Sequence, residues 1–245
     1  TALSGFMSNR RIVVVALLLT AGSLALLWFS RVPLGVPGEW EWRRIAPGAE
    51  HFGEGLVGAL AAAAGAAFYL AVAWLGARRL TDSSRLETAV WLPVLICAGF
   101  AWLWVVQQSP REDYRLQKAA FVPYYRGSSG YFYEARYNMP SAGTFLTHYE
   151  EKMREGDVLH VGTHPPGLFL AYRGLIRLCD EFPELTNILN RSQPREVAAM
   201  FVEIERYNHL LPQDRAALWL ASLLTQLIGV AALLPIYLLV RQEHS

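Results

Sequence analysis

The sequence predicts an all-α integral membrane protein with about four transmembrane helices and a largely helical outer-face segment between the third and the fourth. One observation is a set of four long apolar runs, which carry no charge beyond Arg11. Each reaches the roughly 20 residues that a helix needs to cross a bilayer. The other is a hydrophilic stretch, 110–214, between the last two runs. The runs are RIVVVALLLTAGSLALLWFS (11–30), LVGALAAAAGAAFYLAVAWLGA (56–77), TAVWLPVLICAGFAWLWVVQQS (88–109) and AALWLASLLTQLIGVAALLPIYLLV (216–240).

These runs divide the chain into three regions. Residues 1–109 are predicted to hold three transmembrane helices with short loops, residues 110–214 the outer-face helical segment, and residues 215–245 the fourth transmembrane helix and a cytoplasmic end. The chain begins at Thr1 rather than at methionine and ends just after an apolar run. We therefore expect an N-terminal fragment of a longer polytopic protein.

Charge and cysteine usage argue against two classes of protein. The 22 Lys and Arg nearly balance the 21 Asp and Glu, and no basic tract is present, so membrane lipids rather than nucleic acid are the expected partner. Cys97 lies in a predicted span and Cys179 in the hydrophilic stretch, so a disulfide framework is not predicted. The abundance of Ala, Leu and Arg favours a bacterial protein of the inner membrane.

The distribution of basic residues predicts the orientation. Lys and Arg favour cytoplasmic loops. NRR (9–11) precedes the first run, ARRLTDSSR (77–85) separates the second from the third, and Arg241 follows the fourth. If the four runs cross the membrane in turn, all three basic sites fall on its cytoplasmic side. Residues 110–214 then lie on the outer face. The bias is modest, because the first outer loop also contains arginines.

The outer segment has helical patterns of its own. Ser141 is placed to cap a helix that ends at Gly156, and Pro194 lies near the first turn of another. A third, PPGLFLAYRGLIRLCDEF (165–182), is interrupted by two arginines. It is predicted to lie along the interface; a short tilted span, which would invert the fourth helix, is the alternative. The predicted apolar stripes are Phe145, Leu146, Tyr149 and Met153 in the first helix and Val197, Met200, Phe201 and Ile204 in the second.

The step HVGTHPPG (160–167) joins these patterns. Pro165 and Pro166 fix φ and lack N–H groups, and the proline that follows His164 favours an extended backbone there. We expect Thr163 and His164 to be held at a fixed depth before a helix that begins near Gly167. The simpler alternative is that His164 only caps this helix.

The order GYFYEARYNM (130–139), THPPG (163–167) and LLPIYLLVR (233–241) resembles that of the polytopic C-type membrane glycosyltransferases. These include the protein mannosyltransferases and the aminoarabinose transferases of lipid A. The resemblance implies transfer of a sugar from a polyprenyl-phosphate donor to an acceptor on the outer face, in the cell envelope. It also implies a catalytic Asp or Glu that accepts the acceptor's proton, and a Pro-Pro step that shapes the donor site. No cofactor is certain, although some members bind a divalent metal.

In the family, the catalytic acid usually stands just before the tyrosines, where this chain has Ser128, Ser129 and Gly130. The nearest acid is Glu134, which is therefore the predicted general base. The alternative is that Glu134 pairs with Arg136 or another nearby basic side chain. Glu39 and Glu41, which alternate with Trp40 and Trp42 just outside the first span, are the next choice for the carboxylate. His164 is the second catalytic residue, placed near the donor phosphate. The other predicted substrate-binding residues are Tyr131, Tyr133, His160, Thr163, Arg173 and Arg177.

A metal site and two other protein classes are the alternatives to this interpretation. His160 and His164 have the spacing of paired ligands on a helix, but the prolines argue against a helix there, so no metal ligand is predicted. A non-catalytic membrane protein of the same fold is one alternative. A transporter or assembly subunit is the other; the apolar runs contain no Asp, Glu, Lys or His past their first turns, which disfavours transport.

Overall fold

The structure of the chain is a computed structural model. The protein divides into two compact units, Thr1–Gly53 and Glu54–Ser245, which are described separately. The residues that the structure describes are 9–30, 35–36, 40–41, 48–80, 84–110, 115–154, 164–206 and 208–243.

The first unit contains one helix and a short antiparallel ladder. Helix α1 (Asn9–Phe29) covers most of the first apolar run. Strands β1 (Gly35–Val36) and β2 (Trp40–Glu41) pair with Val36 opposite Trp40. The apolar part of α1 whose side chains are described, Val14–Leu27, is shorter than a full crossing, so a fourth span is not established.

Three helical segments of the second unit are long and apolar enough to cross a membrane, which indicates an integral membrane protein. They are α2 (Phe52–Leu80), α3 (Arg85–Gln108) and the segment Pro212–Leu239. The last consists of α11 (Pro212–Ala231) and α12 (Leu233–Glu243). Pro235 explains the interruption, because it has no N–H for the Ala231 carbonyl four residues earlier.

Helices α2 and α3 approach closely at glycines. A Cβ on Gly58 would lie 1.9 Å from the carbonyl oxygen of Ser109, so the two backbones are in direct contact there. Farther along, the rings of Tyr69 and Trp102 stack with their centroids 5.4 Å apart. Small residues that let backbones approach are typical of membrane helix pairs.

The connecting segment, defined as residues 110–211, is a group of short helices packed against α11. Its buried core includes Phe132, Ile176 and Phe201, which join Leu218 and Trp219 of α11 in one apolar cluster. The helices are α4 (Gln117–Tyr124), α5 (Tyr131–Tyr133), α6 (Ala142–Thr147), α7 (Tyr149–Arg154), α8 (Gly167–Glu181), α9 (Pro183–Arg191) and α10 (Arg195–Glu205), with a π-helical turn at Glu134–Asn138.

The predicted local patterns are partly confirmed. Ser141 caps α6, because its hydroxyl accepts the N–H of Thr144, and α8 begins at Gly167. The helix predicted to run on to Gly156 is interrupted at His148. Its stripe is only half correct, since Phe145 and Tyr149 are buried whereas Leu146 and Met153 are exposed. In the α10 stripe, Val197, Phe201 and Ile204 are buried and Met200 is half-buried.

Candidate functional site

The π-helical turn in the second half of the GYFYEARYNM motif positions Glu134. The turn follows Gly130, which has a left-handed φ of 60° that suits glycine. A Cβ there would also lie 3.2 Å from Cα of Arg126. From Gly130 the chain forms α5 and then widens into the π turn. Single π turns occur often at functional sites.

Glu134 is almost completely buried, with 8% of its surface exposed. Its Oε2 accepts a hydrogen bond from Asn138 Nδ2 at 2.6 Å, and its Oε1 forms an ion pair with the ammonium group of Lys152 in α7. The basic partner of Glu134 is therefore Lys152. The cation and the amide donor together hold the carboxylate in one orientation.

Arg136, on the same turn, binds two other acids. Its Nε lies 3.0 Å from Oδ1 of Asp214, and its Nη1 lies 3.1 Å from Oδ2 of Asp180. Asp214 is 1% exposed and also accepts the N–H of Leu211, the N-cap residue of α11. Arg136 thus ties the turn that carries Glu134 to both α8 and the membrane helix α11.

Tyr131 and His164 come together in a cluster of aromatic rings. The ring of Tyr131 meets the His164 ring edge-on, with centroids 6.2 Å apart, and contacts Phe169 at 5.0 Å. The hydroxyl of Tyr149 donates to the carbonyl oxygen of His164. Burial raises the pKa of both Tyr131 and Tyr149. Their phenols therefore stay neutral donors at ordinary pH.

Tyr133 belongs to a different aromatic group. The centroid of its ring lies 6.2 Å from that of Tyr124 and 4.8 Å from that of Tyr137. The guanidinium of Arg126 lies 5.2 Å from the Tyr133 ring centroid. Burial raises the pKa of Tyr137 to about 12. The two tyrosines that flank Phe132 thus have separate surroundings, and only Tyr131 lies against His164.

Arg173 and Arg177 differ in their surroundings. Arg173 is half-buried, and its Nη1 donates to the carbonyl oxygen of Ala135 at 3.3 Å, which supports the backbone of the π turn. Its Nε is buried without a hydrogen-bond partner among the described residues. Arg177 is exposed. Arg173 therefore holds the π turn in place and keeps one buried donor unused.

Several predicted residues fall outside what the structure describes. Glu39, His160 and Thr163 lie outside the described residues, and Glu41 lies in β2 of the first unit with its side chain undescribed. His164 does not cap α8, whose N-cap is Pro166. Among the described residues, no group of three or more His, Cys, Asp or Glu side chains is placed to hold a metal ion.

Sequence reasoning missed Lys152, Asp180 and Asp214. Asp214 had one visible signal, because it is an acid just before the longest uncharged run. Lys152 and Asp180 lie 18 and 46 residues after Glu134, so no local sequence pattern connects them with the π turn. Only the packing of α7 and α8 against the π turn does so.

The fold and the site define an α-helical integral membrane protein in which a helical connecting segment holds a buried, ion-paired glutamate. Comparison of the chain with models of known families, with curated proteins and with solved structures gives no match.

Proposed function

We propose that the protein is a membrane glycosyltransferase, which moves a sugar from a polyprenyl-phosphate donor to an acceptor on the outer face of a bacterial inner membrane. The class of enzyme is proposed from the resemblance of GYFYEARYNM, THPPG and LLPIYLLVR to the motifs of the C-type membrane glycosyltransferases. The observation that carries the proposal is the placement of Glu134, which the π turn, Lys152 and Asn138 hold in one orientation.

In the proposed reaction, Glu134 acts as general base. Its carboxylate accepts the proton of the acceptor hydroxyl as that oxygen attacks the anomeric carbon of the sugar. The bond between the anomeric carbon and the phosphate oxygen breaks, and the polyprenyl phosphate leaves with the electron pair. The ionised carboxylate is the form able to accept this proton, and the ammonium group of Lys152 lies beside it.

The donor phosphate is proposed to bind on the side of the aromatic cluster. His164 lies beside Tyr131 there, and Tyr131 stays a neutral phenol that can donate a hydrogen bond. Arg173, on α8, offers its buried Nε, and Arg177 is exposed one turn farther along the same helix. Guanidinium groups suit phosphate because their donors match its oxygens.

A divalent metal does not fit the described residues, because they contain no cluster of three metal-ligating side chains. Glu134, the buried carboxylate of the site, already has an ammonium group and an amide as its partners. No step of the proposed reaction is therefore assigned to a metal.

A non-catalytic membrane protein of the same architecture is the second candidate. The ion pair between Glu134 and Lys152 favours it, because the same contact can serve to hold α7 against the π turn. The two candidates differ in whether removal of the negative charge abolishes a reaction or only lowers stability.

The test is sugar transfer from a radiolabelled mixture of polyprenyl-phosphate sugars by membranes that carry the full chain. Wild type is compared with Glu134→Gln and His164→Ala at matched expression. Glu150→Gln is the control, because Glu150 is an exposed acid of α7 whose cation is Arg154. The proposal expects transfer by wild type and the control, and at least a hundredfold loss in Glu134→Gln, the lower range for a general base. Equal transfer by Glu134→Gln and the control would overturn the role of Glu134.

A further inference from the structure

A small cavity of about 210 Å³ adjoins the partners of Glu134. It is formed by the end of the π turn together with α6 and α7. Both side chains that contact the Glu134 carboxylate, Asn138 and Lys152, also line this cavity. At about 30 Å³ per water in the liquid, its volume equals that of roughly seven waters, which suits a small compact ligand.

The lining combines hydrogen-bonding groups of both kinds with an apolar side. Asn138 and Lys152 supply donors, whereas the carboxylate of Glu151 supplies an acceptor. Phe145 and Pro140 form apolar lining, and the Lys152 ammonium lies 5.5 Å from the centroid of the Phe145 ring. A purely apolar ligand would leave the polar groups unsatisfied, which is costly.

His148 adds a second acceptor. Its Nδ1 lies 2.9 Å from the carbonyl oxygen of Thr144, which cannot donate a hydrogen. Nδ1 also lies 3.0 Å from the hydroxyl oxygen of Thr147, but that hydroxyl donates its own hydrogen to backbone carbonyl oxygens. The two contacts together assign the proton of a neutral ring to Nδ1 and leave the lone pair on Nε2. His148 interrupts the helix between α6 and α7 and is exposed. Its ring is therefore fixed by a local bond while its other edge can meet a ligand.

These features match one chemical class. Each hydroxyl of a sugar ring both donates and accepts, and the C–H faces of the ring are apolar. The acceptors Glu151 and His148 and the donors Lys152 and Asn138 serve such hydroxyls, and Phe145 serves a C–H face. Glu151 disfavours a phosphate, because a carboxylate repels an anion.

We infer that the cavity binds a single uncharged sugar ring, next to the carboxylate of Glu134. This inference rests on the proposed function for its place in the reaction, since the ring belongs either to the acceptor or to the donor. Lys152 and Asn138 would then contact both the bound ring and Glu134, which links occupancy of the cavity to the orientation of the base.

The first experiment measures binding of free sugars to the full chain in lipid nanodiscs. Mannose, glucose, galactose and arabinose are titrated separately and followed by saturation-transfer difference NMR. Glu151→Gln and His148→Ala change exposed residues, so they are expected to fold, and Glu150→Gln is again the matched control. We expect at least one sugar to bind, with Kd raised about tenfold or more by Glu151→Gln and by His148→Ala, and within twofold of wild type in Glu150→Gln. No binding of any of the four sugars by wild type, or equal Kd values in Glu151→Gln and Glu150→Gln, would overturn the inference.

The second experiment distinguishes the source of the ring and separates this inference from the proposed function. In the transfer assay, a raised KM for the acceptor in Glu151→Gln assigns the cavity to the acceptor, and a raised KM for the donor assigns it to the donor sugar. Sugar binding that depends on Glu151, together with transfer that is insensitive to Glu134→Gln, keeps the cavity and rejects the general base. Transfer that depends on Glu134 but has wild-type KM values in Glu151→Gln rejects the cavity and keeps the base.

Discussion

Replacement of Arg136 by methionine tests how firmly the π turn is attached to the membrane helix. Arg136 is 16% exposed and contacts Asp214, which is 1% exposed. Removal of one partner from a buried pair costs about 3–5 kcal/mol, because the other charge is left uncompensated. The low end, about 3 kcal/mol, applies here because the N–H of Leu211 still bonds Asp214.

This cost can be measured through the accessibility of Cys179. Cys179 is completely buried in α8, and burial raises the pKa of its thiol, so it reacts with a thiol reagent only when the segment opens. In a Cys97→Ser background, lowering the free energy of opening by about 3 kcal/mol raises the equilibrium constant for opening roughly a hundredfold. When reclosing is fast, the rate of Cys179 labelling rises by the same factor.

Asp180→Asn is the matched control, because it removes the other arm of the same arginine. Asp180 is 41% exposed, so this pair contributes at most about 1 kcal/mol, which is roughly a fivefold change in labelling. The double variant Arg136→Met with Asp214→Asn removes the unpaired charge and should restore part of the protection. Labelling of Arg136→Met no faster than that of Asp180→Asn would refute the reasoning.

Two further predictions concern packing and ionisation. Gly58→Ala places a Cβ 1.9 Å from the Ser109 carbonyl oxygen and should lower the midpoint of thermal unfolding in detergent. Gly174→Ala, whose Cβ would have nothing within 4 Å, is the control and should leave that midpoint unchanged or raise it. Similar midpoints for the two variants would contradict the α2–α3 contact. Burial raises the pKa of Tyr172 from 10.0 to about 12, so the neutral phenol stabilises the fold fully below pH 10 and this contribution is lost as the pH rises through 12. Tyr172→Phe should therefore lose less stability than wild type over that window in pH-dependent unfolding; equal losses would rule this out.

The membrane helices were predictable from the sequence because length and apolar composition determine them directly. The runs 56–77 and 88–109 correspond to α2 and α3, and the fourth run corresponds to the segment Pro212–Leu239. Its interruption after Ala231 follows from Pro235, which is visible in the sequence. For the first run the predicted span is not established, since the described apolar part of α1 is only Val14–Leu27.

The connecting segment shows where periodicity stops being informative. Leu146 lies one residue after Phe145, about 100° around the helix, so only one of them points into the core, and Phe145 does. The interruption at His148 then changes the phase of α7, which leaves Met153 exposed. Neither the break nor the resulting phase can be derived from apolar spacing alone.

The candidate site was predictable in its centre and not in its supports. The sequence predicts Glu134 because it is the acid among the tyrosines; the structure buries this side chain, and its catalytic role stays a prediction. Its ion pair with Lys152 depends on how α7 folds back, and the contacts of Arg136 depend on two helices distant in sequence. Such contacts depend on tertiary packing, which a single sequence does not encode as a local pattern.

The most direct test of the central claim is the turnover of Glu134→Gln at saturating polyprenyl-phosphate sugar and acceptor, measured on protein whose Cys179 remains protected. Protection of Cys179 shows that the connecting segment is folded, so a loss of kcat is then chemical rather than structural. The account predicts a kcat at least about a hundredfold below that of wild type and Glu150→Gln. A kcat equal to that of Glu150→Gln, with Cys179 protected in both, would contradict it and leave Glu134 as a buried ion-pair partner of Lys152.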